Sequence, residues 1–147
     1  MKKEEIFRDT KSWYQKADNY ASPKLIDFAT QYAENKILDV GCATGEYCKW
    51  LNKLGFESIG VDINLEYVEK AKTNGVTAYC MDAKSLKFPD NSFDTVLLFE
   101  VLEHVDNPRD VLVEAKRVAR KNILITVPDC TAIFELRNFN LTYEHML

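Results

Sequence analysis

A chain of 147 residues is the length of one domain and can bury a sizeable core. Its net charge of −4 and pI near 5.2 supply no basic footprint for nucleic acid. No apolar stretch approaches bilayer length, MKKEEIFRDTK lacks the apolar centre of a signal peptide, and Cys42, Cys48, Cys80 and Cys130 show neither a C-x-x-C pair nor zinc-ligand spacing, so a reducing, cytoplasmic setting is expected.

Residues 1–23 are charged and aromatic, with Phe7, Trp13, Tyr14 and Tyr20. They read as helical segments packed on the domain. Lys24 to Asn35 reads as a further helix, with Leu25, Phe28, Ala29 and Tyr32 on one face. Ser22 suits its N-cap and Pro23 its first turn. Ile37, Leu38 and Val40 then form a short apolar run, the pattern of a buried parallel strand. Gly41 and Gly45 follow directly. Tyr47, Trp50, Leu51 and Leu54 come next at helical spacing, and Gly55 is placed to end that helix. The reading is strand, tight glycine turn, helix. Such a turn lets a ligand approach the backbone closely.

Two cofactor classes use this arrangement. The dinucleotide fingerprint G-x-G-x-x-G requires a glycine where this chain has Glu46, a carboxylate at the pyrophosphate position. An NAD-dependent oxidoreductase is therefore disfavoured. The other pattern is an acidic residue followed by G-x-G-x-G. Asp39-Val40-Gly41-Cys42-Ala43-Thr44-Gly45 fits it with Ala43 in place of the middle glycine. Here the sequence resembles the class I S-adenosylmethionine-dependent methyltransferases, in which this turn cups the methionine part of the cofactor.

The later segments extend the resemblance. Phe56 to Asn64 reads as a second strand, with Asn64 capping a helix that Gly75 ends. Val76 to Met81 reads as a third strand, and Phe88 to Ser92 as a turn. Phe93 to Phe99 is a fourth strand, Asn107-Pro108 opens a helix carrying Val111, Leu112, Ala115, Val118 and Ala119, and Ile123 to Val127 is a fifth strand. Alternation of strands and helices predicts an α/β fold: a doubly wound, mostly parallel Rossmann-like sheet with helices on both faces. Right-handed crossovers would place Gly41, Asp62, Asp82 and Glu100 along one edge. The expected organisation is a single domain, with a helical cap at 1–35, a cofactor-binding core at 36–128 and a tail at 129–147.

The resemblance implies S-adenosyl-L-methionine as cofactor. It implies that Asp39, Gly41, Cys42, Ala43 and Gly45 form the methionine turn and that Asp62, followed by Ile63, holds the ribose. Asp82, followed by Ala83, would accept from the adenine amino group. Phe99 and Tyr20 complete the implied cofactor-binding set, and Tyr14 is an alternative to Tyr20. Aromatics that merely anchor a helix are the competing account of both tyrosines. After Pro128 the chain has no glycine and no hairpin turn signal, so the family's C-terminal antiparallel hairpin is expected to be missing. An open sheet edge would then favour a homo-oligomer.

Methyl transfer from a sulfonium is a direct displacement and needs positioning more than a protein nucleophile. The catalytic candidates are Glu100 and His104 in Phe99 to Val105, FEVLEHV. As a helical turn, this segment would put Glu100, Glu103 and His104 on one face. His104 could act as general base. No metal is assigned, but the segment resembles the E-x-x-E-H motif of ubiquinone-pathway and small-RNA O-methyltransferases. In those a later histidine completes a metal site, and His145 would be that histidine. A plain polar face is the third account. The acceptor is most simply a small molecule, with RNA and protein both open and no membrane partner. A non-catalytic cofactor-binding module of a larger assembly is the alternative to an enzyme.

Overall fold

The computed structural model describes residues 21–127. Within them the chain runs α1 (Pro23–Tyr32), β1 (Lys36–Val40), α2 (Glu46–Lys53), β2 (Glu57–Asp62), α3 (Leu65–Thr73), β3 (Ala78–Cys80), β4 (Phe93–Phe99), a 3-10 turn (Leu102–His104), α4 (Pro108–Val118) and β5 (Ala119–Thr126). The strands form one parallel sheet in the order β3-β2-β1-β4-β5. The chain moves outward from β1 to β3 and then returns to the other side of β1. The winding therefore reverses between β1 and β4, where open α/β sheets bind their ligands.

The pleat divides the apolar residues between two faces. Leu38, Val40, Val61, Val96 and Leu98 pack against Val111, Leu112, Ala115 and Val118 of α4. Ile37, Leu97, Phe99 and Leu124 meet Leu25, Phe28 and Ala29 of α1 and Leu51 of α2. Val68 and Ala71 of α3 join Cys42, Cys48, Val76 and Ala78 in a third cluster. Strands covered on both faces lack alternation, which explains the consecutive apolar residues Ile37-Leu38 of β1 and Val96 to Phe99 of β4.

The strands and helices expected within residues 21–127 are present, with local departures, while the helical segments expected before residue 21 lie outside the described residues. The first helix ends at Tyr32, and Ser22 stands at its N-cap with no side-chain cap bond. Asn64 does cap α3: its Oδ1 accepts from the N–H groups of Glu66 and Tyr67 at 3.0 and 3.4 Å. The fifth strand begins at Ala119, directly after α4. Its first residues include Arg120 and Lys121, which are exposed, and Asn122, whose side chain bonds Thr95 and Tyr32 O. The largest departure is between β3 and β4. Strands and helices were expected to alternate throughout, but residues 81–92 make this crossover without a helix.

Candidate cofactor and acceptor site

The turn after β1 is built from backbone that favours glycine. Gly41, Ala43 and Gly45 have φ of 77°, 46° and 82°. A Cβ on Gly41 would stand 2.7 Å from Val101 Cγ2, and one on Gly45 would stand 3.0 Å from Val76 Cγ2. The turn is braced from three sides. Gly41 N and Cys42 N both donate to Val61 O, at 2.8 and 3.0 Å. Ala43 N donates to Asp62 Oδ2 at 2.9 Å. Asn74 Nδ2 donates to Thr44 O at 3.2 Å. Gly41 and Ala43 are exposed, so their backbone is open to a ligand.

Asp62 ends β2 beside this turn. Its other oxygen, Oδ1, accepts from Asn64 N at 2.9 Å. Two backbone N–H groups thus orient the carboxylate, and each oxygen keeps a lone pair for a ligand hydroxyl. Ile63 follows with 71% of its surface exposed, an apolar side chain next to that carboxylate. Beyond β3, Asp82 Oδ1 accepts from Lys84 N at 2.9 Å and Asp82 O from Ser85 N at 2.9 Å, so Asp82 sits in a closed turn with Ala83. Because every strand is parallel, the residues that follow β1, β2, β3 and β4 share one edge, as expected for Gly41, Asp62, Asp82 and Glu100.

Asp39 is placed differently from the other acidic residues. It is buried within β1, opposite Gly60 and beside Leu97. Its side-chain partner is Cys48, whose Sγ lies 3.8 Å from Oδ2. Burial pushes the carboxyl up from 3.8 to about 7, the Cys48 thiol partly offsets that, and the charge of Asp62 adds to it. Burial, followed by the charge of Asp39, also raises the thiols of Cys42 and Cys48, which makes them inert packing groups. Cys42 can therefore offer a cofactor its backbone only. Its side chain fills the space above Gly60, where a Cβ would come within 2.5 Å of Cys42 Sγ. Sequence reasoning passed over Gly60, although a lone glycine inside a strand signals close approach.

The segment after β4 is not the expected helical turn. Glu100 adopts φ 54°, and only Leu102–His104 coil as a 3-10 turn. Helical i, i+3, i+4 spacing therefore does not unite Glu100, Glu103 and His104. Among the described residues no three His, Cys, Asp or Glu side chains gather as a metal site. His104 is well exposed, with Nε2 3.8 Å from Glu103 Oε1. Glu100 is exposed at the sheet edge, and its N–H donates to Thr126 O at 3.0 Å. Phe99 is buried against Tyr47 and Phe28, with ring centroids at 5.4 and 6.1 Å, so its side chain belongs to the core. Tyr14, Tyr20, His145 and the expected missing hairpin lie outside the described residues.

A parallel sheet with a glycine turn at its winding reversal and carboxylates on the next two strand ends defines an open α/β domain with its candidate site at the strand carboxyl ends. A family model for the methyltransferase domain matches residues 38–126. The chain belongs to the class I S-adenosylmethionine-dependent methyltransferase family. It is 28% identical over 125 residues to a ubiquinone biosynthesis O-methyltransferase of Methylococcus capsulatus, covering 80% of this chain and 50% of that protein. It is 24% identical over 117 residues to a probable tRNA methyltransferase 9B of Bos taurus, covering 79% and 25%. The crystal structure of YcgJ from Bacillus subtilis superposes with a TM-score of 0.58 at 32% identity, covering 67% of this chain and 45% of that one. The chain thus spans half or less of the length of these three proteins. Among the described residues no helix is long and apolar enough to cross a membrane.

Proposed function

We propose that this domain binds S-adenosyl-L-methionine and directs its methyl group to a small-molecule acceptor. The observation that carries the reading is the oriented Asp62 carboxylate beside a glycine turn whose backbone is exposed at Gly41 and Ala43. The donor set fits the cofactor. The exposed backbone of Gly41 and Ala43 meets the methionine part, the Asp62 oxygens accept from ribose hydroxyls, Ile63 covers one purine face, and Asp82 accepts from the adenine amino group. The cofactor supplies an activated methyl group on a cationic sulfur. The protein holds the acceptor in line and provides negative charge nearby. Glu100 and His104 occupy the acceptor side, after β4. The exposed His104 takes a proton from an acceptor hydroxyl or ammonium.

Relatives in the family include a ubiquinone-biosynthesis and a probable tRNA enzyme, so acceptor class does not follow from family membership. The acidic pI favours a small molecule over RNA. Incubating the chain with cofactor labelled on its methyl group and separate panels of catechols, amines, tRNA and protein tests this directly. Label on a small molecule is the expected result. Label on tRNA or protein alone would replace the small-molecule reading. Cofactor binding with no transfer to any panel would favour a non-catalytic module.

A further inference from the structure

The crossover from β3 to β4 is the one connection between described strands without an α-helix. An irregular segment has no ladder to satisfy its backbone groups, so they need other partners. Here α4 supplies them. Arg117 directs Nη2 to Leu86 O at 2.9 Å and Nη1 to Phe88 O at 2.8 Å. Nη1 also reaches Asp90 Oδ1 at 2.9 Å. Glu114 Oε2 accepts from Leu86 N at 2.7 Å, and Arg117 O accepts from Asn91 N at 2.9 Å. Glu114 in turn fixes the guanidinium, taking Nε at 2.8 Å and Nη2 at 3.0 Å on its two oxygens. A planar fork holds its donors in a fixed, spread geometry that reaches two carbonyls and a carboxylate together, whereas a lysine ammonium is a compact point charge with rotatable donors.

The held stretch begins four residues after Asp82. Between them lies the closed turn in which Asp82 accepts from Lys84 N and Ser85 N. Leu86 is buried in the core, so the far end of that turn has little freedom. By contrast, the Lys84–Asp106 pair at 3.3 Å is a surface ion pair of little weight. The placement of the Asp82 carboxylate at the sheet edge is thereby tied to a pair of residues on α4.

We propose that Glu114 and Arg117 are positioning residues for nucleobase selection: by clamping Leu86–Asp90 they set Asp82 against the amino edge of a 6-aminopurine. The inference rests on the proposed reading that this site takes an adenosyl cofactor whose amino group meets Asp82. A clamp that only stabilised the fold would affect all ligands of the site alike. A positioning clamp affects the amino edge selectively.

Titration calorimetry with S-adenosylhomocysteine and its 6-oxo analogue S-inosylhomocysteine separates these outcomes. The wild-type chain should prefer the adenosyl compound by about ten- to a hundredfold, the range for a lost charge-assisted hydrogen bond. Arg117→Lys should bring that preference within about threefold of unity while affinity for the inosyl compound changes by about twofold or less. Glu114→Gln gives the same readout should Arg117→Lys fail to fold. A variant that binds both compounds more weakly in equal measure, or keeps the wild-type preference, overturns the positioning role. A wild-type chain that binds both compounds equally well refutes the Asp82 contact itself. Binding of neither refutes the cofactor reading.

Discussion

The Asp62 carboxylate accepts the N–H of Ala43 at 2.9 Å, across 19 positions of sequence. One side chain thus braces the glycine turn and, in the proposed function, also meets the ribose. Asp62→Ala should therefore weaken S-adenosylhomocysteine binding by about 1–3 kcal/mol and also lower stability by about 1 kcal/mol. The stability cost is small because the Ala43 and Asn64 N–H groups are exposed and water can replace the carboxylate. Calorimetric titration and thermal melts read the two effects separately. An unchanged affinity would remove Asp62 from the site.

Gly60 is required by packing. A Cβ there would stand 2.5 Å from Cys42 Sγ and 2.6 Å from Cys42 Cβ. Gly60→Ala should cost about 1–3 kcal/mol, the usual range for an overpacked core. Cys42→Ala would not relieve the clash, because its own Cβ is one of the atoms in the way. Cys42→Gly should relieve most of it. Chemical denaturation of the two double variants would show the difference, and equal rescue by both would contradict the geometry.

Buried Asp39 gives stability a distinctive pH dependence. Its carboxyl is raised from 3.8 to about 7, chiefly by burial. Between those values the folded state holds a proton that the unfolded chain has lost. The contribution of this group is therefore fully present below about pH 4 and is lost as pH rises toward 7. At about 1.4 kcal/mol per pH unit, the loss across the window is on the order of a few kcal/mol. Asp94 works the other way, since the Lys36 N–H and then Arg120 hold its carboxyl below the usual range. The difference between wild type and Asp39→Asn isolates the Asp39 contribution. Asp39→Asn should gain relative to wild type as pH rises from 5 to 8, and a pH-independent difference would rule the proton out.

Glu100 carries a left-handed backbone, with φ of 54°. A non-glycine residue there is strained by roughly 1 kcal/mol. Glu100→Gly should therefore raise the melting temperature or leave it unchanged. If Glu100 helps hold the acceptor, the same change should lower methyl transfer by tenfold or more. A variant with full transfer would place Glu100 outside the acceptor site.

The parts of the site legible in the sequence are those with local signals. The glycine turn, the acidic residues at strand ends and the Asn64 cap each declare themselves within a few positions. β1 and β4 were legible as buried strands because a doubly covered strand carries consecutive apolar residues rather than alternation. The clamp from Arg117 to Leu86 spans 31 positions and has no local signature. The missing helix in the β3–β4 crossover was obscured for the same reason, because its backbone partners lie on α4. The left-handed Glu100 was hidden by a segment whose residues suit a helix. The fifth strand was placed from Ile123, and Ala119 on the preceding helix, because the exposed Arg120 and Lys121 at its start mask the strand pattern.

The account rests on one binding event, which isothermal titration with S-adenosylhomocysteine measures directly. It predicts micromolar or tighter binding by the wild-type chain, weakened in Asp62→Ala, with no binding of NAD. Binding of NAD, with none of S-adenosylhomocysteine, would contradict it.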